Sequence, residues 1–228
     1  MPKYDQESFN RFVVENNVYG FFPDAITLKS GRTSHFYANF RTVTEDVWLT
    51  EKLVEFVIAF VDDRRIEVDT FYGVPEGATK LGVLTQFVRA RRQKAYAQGS
   101  HSLAMGRARP KEHGAAKDRY FVGKPIGEVV VLEDVTTTGE SAIKTIEMLR
   151  EAGVCVRALI SLTNRMELRD DGRSVEDAVR SMGIDYYSMS SAVDLLPLIY
   201  GRLRPGEKIA RAIEAEFAEY GVQTVKLT

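Results

Sequence analysis

An unbroken aliphatic run at residues 129–132 (VVVL) is the feature that most constrains how this chain folds. A strand with one solvated face alternates apolar and polar residues, whereas a central strand of a parallel sheet is covered on both faces and is apolar throughout. A second apolar run, residues 154–162, follows the helical pattern of residues 140–152, which Gly153 ends. This strand–helix–strand succession predicts a parallel sheet whose crossover connections are right-handed.

The same alternation extends over most of the chain. Further helices are predicted at residues 45–65, 78–93, 174–182 and 207–219, and further strands at residues 70–73, 102–106 and 184–189. Before them, Asp5 or Ser8 can cap a first helix, and turn residues at the centre of residues 26–41 predict two short strands. We therefore expect the α/β class, with a central, mainly parallel sheet flanked by helices. A single domain, residues 1–228, should comprise an N-terminal hood of about 1–44 and a core of about 45–228.

Composition excludes several classes of protein. The net charge of −1 argues against a nucleic-acid or membrane-surface binder, because such proteins are usually strongly basic. The sequence has no run of about eighteen apolar residues and no apolar segment after its charged start, so we expect a soluble cytoplasmic protein. The single cysteine, Cys155, lies in the apolar run VCVRALISL, and we expect a buried thiol there.

Acidic residues and a hydroxyl-rich turn follow the aliphatic run directly. The strand delivers Glu133 and Asp134 to its carboxyl end, where open α/β sheets bind ligands. The turn into the next helix comprises Val135, Thr136, Thr137, Thr138, Gly139, Glu140 and Ser141. Backbone N–H groups at such a turn, the helix N-terminus and the hydroxyls together form a phosphate cradle.

Carboxylates repel phosphate, so the acids and the cradle must serve different parts of one ligand. Carboxylates accept hydrogen bonds from hydroxyls, and ribose 5-phosphate can present its diol to the acids and its phosphate to the turn. The segment matches neither the Walker A pattern nor the dinucleotide fingerprint. A simple helix N-cap is the alternative, but a cap needs one oxygen and this segment concentrates several.

Residues 129–141 resemble the thirteen-residue phosphoribosyl-diphosphate motif of type I phosphoribosyltransferases, a motif that identifies the superfamily and not the base. Three other segments, between about residues 26 and 165, resemble orotate phosphoribosyltransferase in order and spacing. This resemblance implies transfer of the 5-phosphoribosyl group from phosphoribosyl diphosphate to orotate. The products would be orotidine 5′-monophosphate and diphosphate, in de novo pyrimidine (UMP) biosynthesis.

The first of these segments, residues 26–41, is similar to the hood of that family. The resemblance implies that Lys29 contacts the diphosphate substrate and orotate, and that Phe36 and Tyr37 lie over the orotate ring. A lysine and a planar π-face suit a flat, anionic base. For the two aromatic residues, strand core is the alternative.

The second segment, residues 107–114 (RARPKEHG), resembles the mobile catalytic loop. Arg107, Lys111 and His113 fall on the family's positions, which implies that they act on the leaving diphosphate. Cations on a polar loop can close over a departing diphosphate and stay solvated when the loop is open. Ala108 replaces the family's second basic residue, with Arg109 beside it, and a solvated charged loop is the alternative interpretation.

The third segment places Arg165 where the family uses an arginine for the orotate carboxylate or carbonyl, and a guanidinium offers two parallel donors. Thr137 matches a position that also touches orotate. Residues 73–80 (GVPEGATK) match the diphosphate loop, but Gly77 stands where some members carry a lysine, and Lys80 is nearby. We therefore expect backbone N–H groups at Glu76 and Gly77 to bind diphosphate, through a strained peptide like the family's.

The resemblance further implies a Mg²⁺ cofactor held mainly by substrate and water, without dedicated protein ligands. It also implies a homodimer that shares the catalytic loop across its interface, with no nucleic-acid or membrane partner. Two alternatives remain: a phosphoribosyltransferase for another base, and a non-catalytic regulator that senses phosphoribosyl diphosphate. The candidate nucleic-acid face of such a regulator is the basic cluster Arg89, Arg91, Arg92 and Lys94.

Overall fold

The N-terminal part of the computed structural model, which describes residues 3–107 and 120–227, is a helix followed by a β-hairpin. The elements are α1 (Gln6–Glu15), β1 (Tyr19–Thr27), β2 (Thr33–Ala38), α2 (Arg41–Thr44) and α3 (Val47–Asp63). The Asp5 side chain accepts the backbone N–H of Ser8, so Asp5 is the cap of the first helix. Strands β1 and β2 pair antiparallel, which confirms the two strands predicted within residues 26–41, although β1 begins earlier.

Four parallel strands form the main sheet. The elements are β3 (Thr70–Gly73), α4 (Thr79–Arg91), β4 (Met105–Gly106), β5 (Phe121–Val122), β6 (Glu128–Thr136), α5 (Glu140–Glu151), β7 (Cys155–Asn164), α6 (Val175–Ser181) and β8 (Asp185–Ser188). The order β3–β6–β7–β8, parallel throughout, confirms the predicted parallel sheet. In β3 and β6, Gly73 pairs with Leu132, so the turn after β3 and the acids after Leu132 lie at the same edge.

Strand β6 is buried on both faces, as its aliphatic run predicts. Val130 and Leu132 pack into one hydrophobic cluster and Val129 and Val131 into another, and all four are fully buried. The first cluster also contains residues of the N-terminal hairpin, so the hairpin shares its core with the rest of the chain. The boundary near residue 44 stays a prediction.

Two helices end the structure, α7 (Ala192–Leu203) and α8 (Glu207–Tyr220). The sequence pattern predicts α8 but misses α7, because Pro197 lies inside it and proline disfavours a helix interior. Burial of Leu195, Leu196 and Ile199 against the core holds that helix in place. None of the helices within residues 3–107 and 120–227 is long and apolar enough to cross a membrane.

Two sequence predictions are wrong in detail. The strand predicted at residues 102–106 is reduced to β4, which pairs antiparallel with β5 in a separate two-stranded sheet. Cys155 is exposed rather than buried, because the first residues of β7 alternate between solvent and core before the strand becomes fully buried. Its thiol lies 3.4 Å from a carboxylate oxygen of Glu128.

Candidate active site

A cavity of about 520 Å³ opens at the carboxyl edge of β3 and β6, below the N-terminal hairpin. Thirteen of the predicted site residues line it: Lys29, Tyr37, Glu76, Gly77, Glu133, Asp134, Val135, Thr137, Thr138, Gly139, Glu140, Ser141 and Arg165. Within residues 3–107 and 120–227, the predicted site residues Phe36, Arg107 and Thr136 do not line it. The fold therefore brings together segments that are up to 136 positions apart in the chain, from residue 29 to residue 165.

The two acids after the aliphatic run lie side by side in this cavity. Glu133 is 7% exposed, and its burial, together with the neighbouring charge of Asp134, raises the pKa of the Glu133 carboxyl well above its usual value. The backbone N–H of Val135 donates to Oδ1 of Asp134 at 2.9 Å, which orients that carboxylate. The pair can accept the two hydroxyl hydrogens of a sugar diol.

The turn from β6 into α5 has the backbone of an anion site. Gly139 has a φ of 69°, and a Cβ at this position would lie 2.7 Å from Cγ1 of Val175, so a side chain does not fit. Ile143 donates its N–H to the Gly139 carbonyl and begins the helix. The first N–H groups of a helix have no acceptor within it, so they are free to bind phosphate. We call residues 137–141 the phosphate loop.

Thr136, which precedes this loop, has a structural role in the described residues. Its hydroxyl is buried at hydrogen-bond distance from the Tyr186 hydroxyl, 2.9 Å, and donates to Ser161 at 3.2 Å. The sequence motif alone does not separate Thr136 from the threonines that follow it. The separation comes from Ser161 on the neighbouring strand β7 and from Tyr186 on β8, the strand beyond it.

The N-terminal hairpin reaches the phosphate loop through Lys29. Its ammonium group donates to the Ser141 hydroxyl at 2.9 Å, across a separation of 112 residues. Lys29 sits on the turn between β1 and β2, which is closed by a hydrogen bond from the Leu28 N–H to the Arg32 carbonyl at 2.8 Å. A cation is thus placed beside the phosphate loop, and contact of Lys29 with the diphosphate substrate and orotate stays a prediction.

The turn after β3 forms the opposite wall of the cavity. A cis peptide bond joins Pro75 to Glu76, one residue before the Glu76–Gly77 bond that the sequence singles out. Lys80 lines the cavity, and its ammonium group donates to the Thr44 carbonyl at 2.6 Å. That bond directs the amino end of α4 towards α2.

Arg165 reaches the cavity but is almost fully bound by protein groups. Its Nε donates to Glu167 at 2.6 Å, and its Nη2 donates to Glu216 at 2.9 Å and to the Ser34 hydroxyl at 3.0 Å. Its Nη1 donates to the Phe36 carbonyl at 3.2 Å. A guanidinium has five N–H groups, and the described residues accept four of them, so within this part of the chain one Nη1 hydrogen is left for a ligand, rather than the two parallel donors expected from the sequence.

Phe36 belongs to the core. It is fully buried, its ring stacks between Tyr19 and Phe217 at centroid distances of 6.2 and 6.0 Å, and the Arg165 guanidinium lies 3.8 Å from its centroid. For Phe36 the structure therefore favours strand core, the alternative noted above. Tyr37 points the other way, into the cavity, because successive side chains of a strand face opposite sides.

Two charged residues that the sequence does not single out also line the cavity, Arg41 and Glu45. Arg41 donates to the Tyr37 hydroxyl at 3.0 Å and adds a positive charge to the lining of the cavity. The only sequence signal for Arg41 is its place at the end of the segment that resembles the family's hood. Nothing in its spacing separates it from a surface arginine.

Of the three predicted catalytic residues, only Arg107 lies within the described residues. Its Nε donates to the Phe121 carbonyl at 3.0 Å, and its backbone N–H to the Tyr120 carbonyl at 3.0 Å. Lys111 and His113 lie outside the described residues, as do Ala108 and Arg109.

Comparison with known proteins supports the same family. No family model matches the chain. It is 31% identical over 194 residues to an orotate phosphoribosyltransferase of Rhodopseudomonas palustris, covering 81% of this chain and 92% of that protein. It is 28% identical over 221 residues to one of Bordetella bronchiseptica, covering 94% and 96%.

Solved structures share the fold. The orotate phosphoribosyltransferase of Francisella tularensis matches with a TM-score of 0.66 at 18% identity, over 94% of this chain and 99% of that one. Leishmania donovani UMP synthase matches with a TM-score of 0.70 at 20% identity, over 93% of this chain and 42% of that one. The type I phosphoribosyltransferase fold expected from the sequence is confirmed. By the sequence identity and coverage of its relatives, this chain belongs to the orotate phosphoribosyltransferase family.

Proposed function

We propose that this chain transfers the 5-phosphoribosyl group from phosphoribosyl diphosphate to orotate in pyrimidine biosynthesis. The observation that carries the proposal is the arrangement of one cavity, in which an acid pair, a phosphate loop and Lys29 meet. The names and coverage of the relatives support the same substrates. We also propose that the protein is cytoplasmic.

The reaction asks little covalent chemistry of the protein. The bond from ribose C1′ to diphosphate breaks with its electron pair leaving on diphosphate, a bond forms from C1′ to orotate N1, and the N1 proton is released. Positive charge develops on the ribose and negative charge on the leaving group. Catalysis then consists of aligning the two reactants, stabilising the leaving charge and excluding water.

We assign the binding of both substrates to the described residues. Glu133 and Asp134 accept the ribose hydroxyls, and the phosphate loop binds the 5-phosphate. Lys29 contributes positive charge, and the backbone at Glu76 and Gly77 lies where diphosphate would leave. We assign the base to the space beside Tyr37 and Arg165, where the remaining Nη1 hydrogen of Arg165 can donate to a carbonyl or carboxylate oxygen.

The proposal includes Mg²⁺, and the donor set of the cavity fits it. Mg²⁺ is usually bound by one or two carboxylates together with substrate phosphates and water. Asp134 and Glu133 are among the carboxylates that line this cavity. When bound, the ion would neutralise charge on the diphosphate.

The catalytic loop and the dimer complete the proposal. We assign Lys111, His113 and Arg107 to the leaving diphosphate, with the loop donated across a homodimer. Exposed apolar side chains on the neighbouring helices α3 and α4, among them Trp48 and Phe87, are suited to burial against a second copy. Mixing Lys111→Ala subunits with Asp134→Asn subunits tests the sharing: activity that neither variant shows alone is expected, and its absence would contradict a shared loop.

The decisive experiment follows the loss of orotate absorbance with and without phosphoribosyl diphosphate and Mg²⁺. We expect loss that requires both, and a strong reduction in Asp134→Asn because the diol loses a charged acceptor. Turnover with another base but not orotate would favour the first alternative. Binding of phosphoribosyl diphosphate without any turnover, together with retention of DNA or RNA on a filter, would favour the regulator.

A further inference from the structure

One side chain outside the cavity holds the phosphate loop from behind. Arg169, in the connection between β7 and α6, donates an Nη1 hydrogen to the carbonyl oxygen of Thr138. Its side chain is 21% exposed. In a trans peptide the carbonyl and the next N–H point in opposite directions, so fixing the Thr138 carbonyl towards Arg169 turns the N–H of Gly139 away from it. Both Thr138 and Gly139 line the cavity.

The positive charge of Arg169 is only partly compensated. Its Nε is buried and has no hydrogen-bond partner among residues 3–107 and 120–227. The Asp171 carboxylate lies 3.6 Å from that Nε, but Arg173 donates to it at 2.8 and 3.1 Å. These hydrogen bonds from Arg173 lower the pKa of Asp171 to about 2. Arg169 therefore leaves positive potential directly behind a loop that is suited to an anion.

The segment that carries Arg169 is anchored to the N-terminal hairpin. Arg32 donates to the Leu168 carbonyl at 2.8 Å, to Glu167 at 3.3 Å and to Asp170 at 2.7 Å. Arg32 closes the same turn that carries Lys29, whose ammonium group contacts the other end of the phosphate loop. Lys29 and Arg169 thus contact the phosphate loop from two sides, and Arg32 links the two segments that carry them.

We propose that Arg169 is a positioning residue, which holds the phosphate loop in the geometry that binds the 5-phosphate of the substrate. The inference rests on the proposed function, because it takes the loop to be the 5-phosphate site. Arg169 does not itself line the cavity, so its effect acts through the Thr138 carbonyl and through its charge.

Calorimetric titration with ribose 5-phosphate tests this inference without requiring turnover. Arg169→Ala should weaken binding about tenfold, the loss that corresponds to one charge-assisted hydrogen bond. Arg180→Ala is the matched control, because Arg180 is an arginine on the helix that follows, pairs with Glu176 at 2.9 Å and has no contact with the loop or with Arg169 among the described residues. It should bind like the wild type, and Arg169→Lys, which keeps the charge, should recover part of the loss.

Steady-state kinetics should show that the substitution affects one substrate and not the other. Arg169→Ala is expected to raise the KM for phosphoribosyl diphosphate and leave the KM for orotate unchanged, which a general loss of structure would not do. If alanine prevents folding, Arg169→Gln keeps most of the bulk without the charge and should also bind ribose 5-phosphate more weakly. Wild-type affinity in a folded Ala or Gln variant at Arg169, or equal weakening in Arg180→Ala, would overturn the inference. A wild-type protein that does not bind ribose 5-phosphate would overturn the proposed function itself.

Discussion

Gly77 faces the carboxylate of Asp134 so closely that no side chain fits between them. A Cβ on Gly77 would lie 2.6 Å from Oδ2 and 2.7 Å from Oδ1 of Asp134. At this position, where the sequence resemblance implies a lysine in some members of the family, the observed Asp134 carboxylate leaves no space for a Cβ. A side chain at residue 77 and the observed position of Asp134 exclude each other.

Gly77→Ala should damage substrate binding much more than folding. The nearest atoms are the mobile end of one side chain, so the methyl group displaces the Asp134 carboxylate rather than the backbone. We expect a KM for phosphoribosyl diphosphate about ten- to a hundredfold higher, the scale of a 1 Å misplacement in a site. Gly201→Ala is the control, since nothing lies within 4 Å of its added methyl group. Unchanged kinetics in Gly77→Ala would show that Asp134 does not need its present position.

Glu133→Gln should stabilise the ligand-free protein at neutral pH. Burial raises the folded-state pKa of Glu133 well above the usual 4.5, so the folded protein binds more protons than the unfolded chain above pH 4.5. The contribution of Glu133 to stability is therefore fully present below pH 4.5 and is lost as the pH rises towards the folded-state pKa. Thermal unfolding from pH 4 to pH 9 should show a smaller decline for Glu133→Gln.

The Glu133→Gln substitution should also weaken the binding of phosphoribosyl diphosphate, because an amide accepts hydroxyl hydrogens less strongly than a carboxylate does. Calorimetry on the two proteins measures this loss. A variant with the wild-type profile of stability against pH would contradict the shifted pKa, and one with wild-type affinity would contradict the diol contact.

Phe36 and Tyr37 should give opposite results although they are neighbours. Phe36→Ala removes a fully buried ring and should cost about 3–5 kcal/mol of unfolding free energy. Tyr37→Phe removes only a hydroxyl that contacts Arg41, so the free energy of unfolding should change by less than about 1 kcal/mol. The KM for orotate, whose site we assign beside Tyr37, should rise severalfold. Chemical denaturation and steady-state kinetics measure the two effects. A Phe36 variant of normal stability would argue against its place in the core.

The fold was predictable where a local pattern admits one structure. The four aliphatic residues of β6 are covered on both faces, and such a run is typical of a central parallel strand. Helix α7 was not predictable, because Pro197 argues against a helix and only packing of the surrounding apolar residues outweighs it. The exposure of Cys155 was missed because an apolar run does not show where along it burial begins.

The site was predictable where it is contiguous in the sequence. Glu133, Asp134 and the phosphate loop follow one another, so the chain itself brings them together. Phe36 and Tyr37 alternate by strand geometry, but their sequence does not say which of them faces the core. The carboxylates that bind Arg165 include Glu216, 51 residues away on α8, and no local pattern predicts such a pairing.

Cys155 should react readily without loss of activity, because it is exposed at the amino end of β7, whereas the cavity lies at the carboxyl edge of the sheet. The hydrogen bond between its thiol and Glu128 raises the thiol pKa, since a carboxylate disfavours the thiolate beside it. Titration with a thiol-specific reagent should therefore label one cysteine per folded chain, slowly at neutral pH and faster as the pH rises. Glu128→Gln should accelerate the reaction, and Cys155→Ser should abolish it. Labelling that appears only after denaturation would show that the thiol is buried, as the sequence predicts. Inactivation on labelling would place Cys155 closer to the site than the structure does.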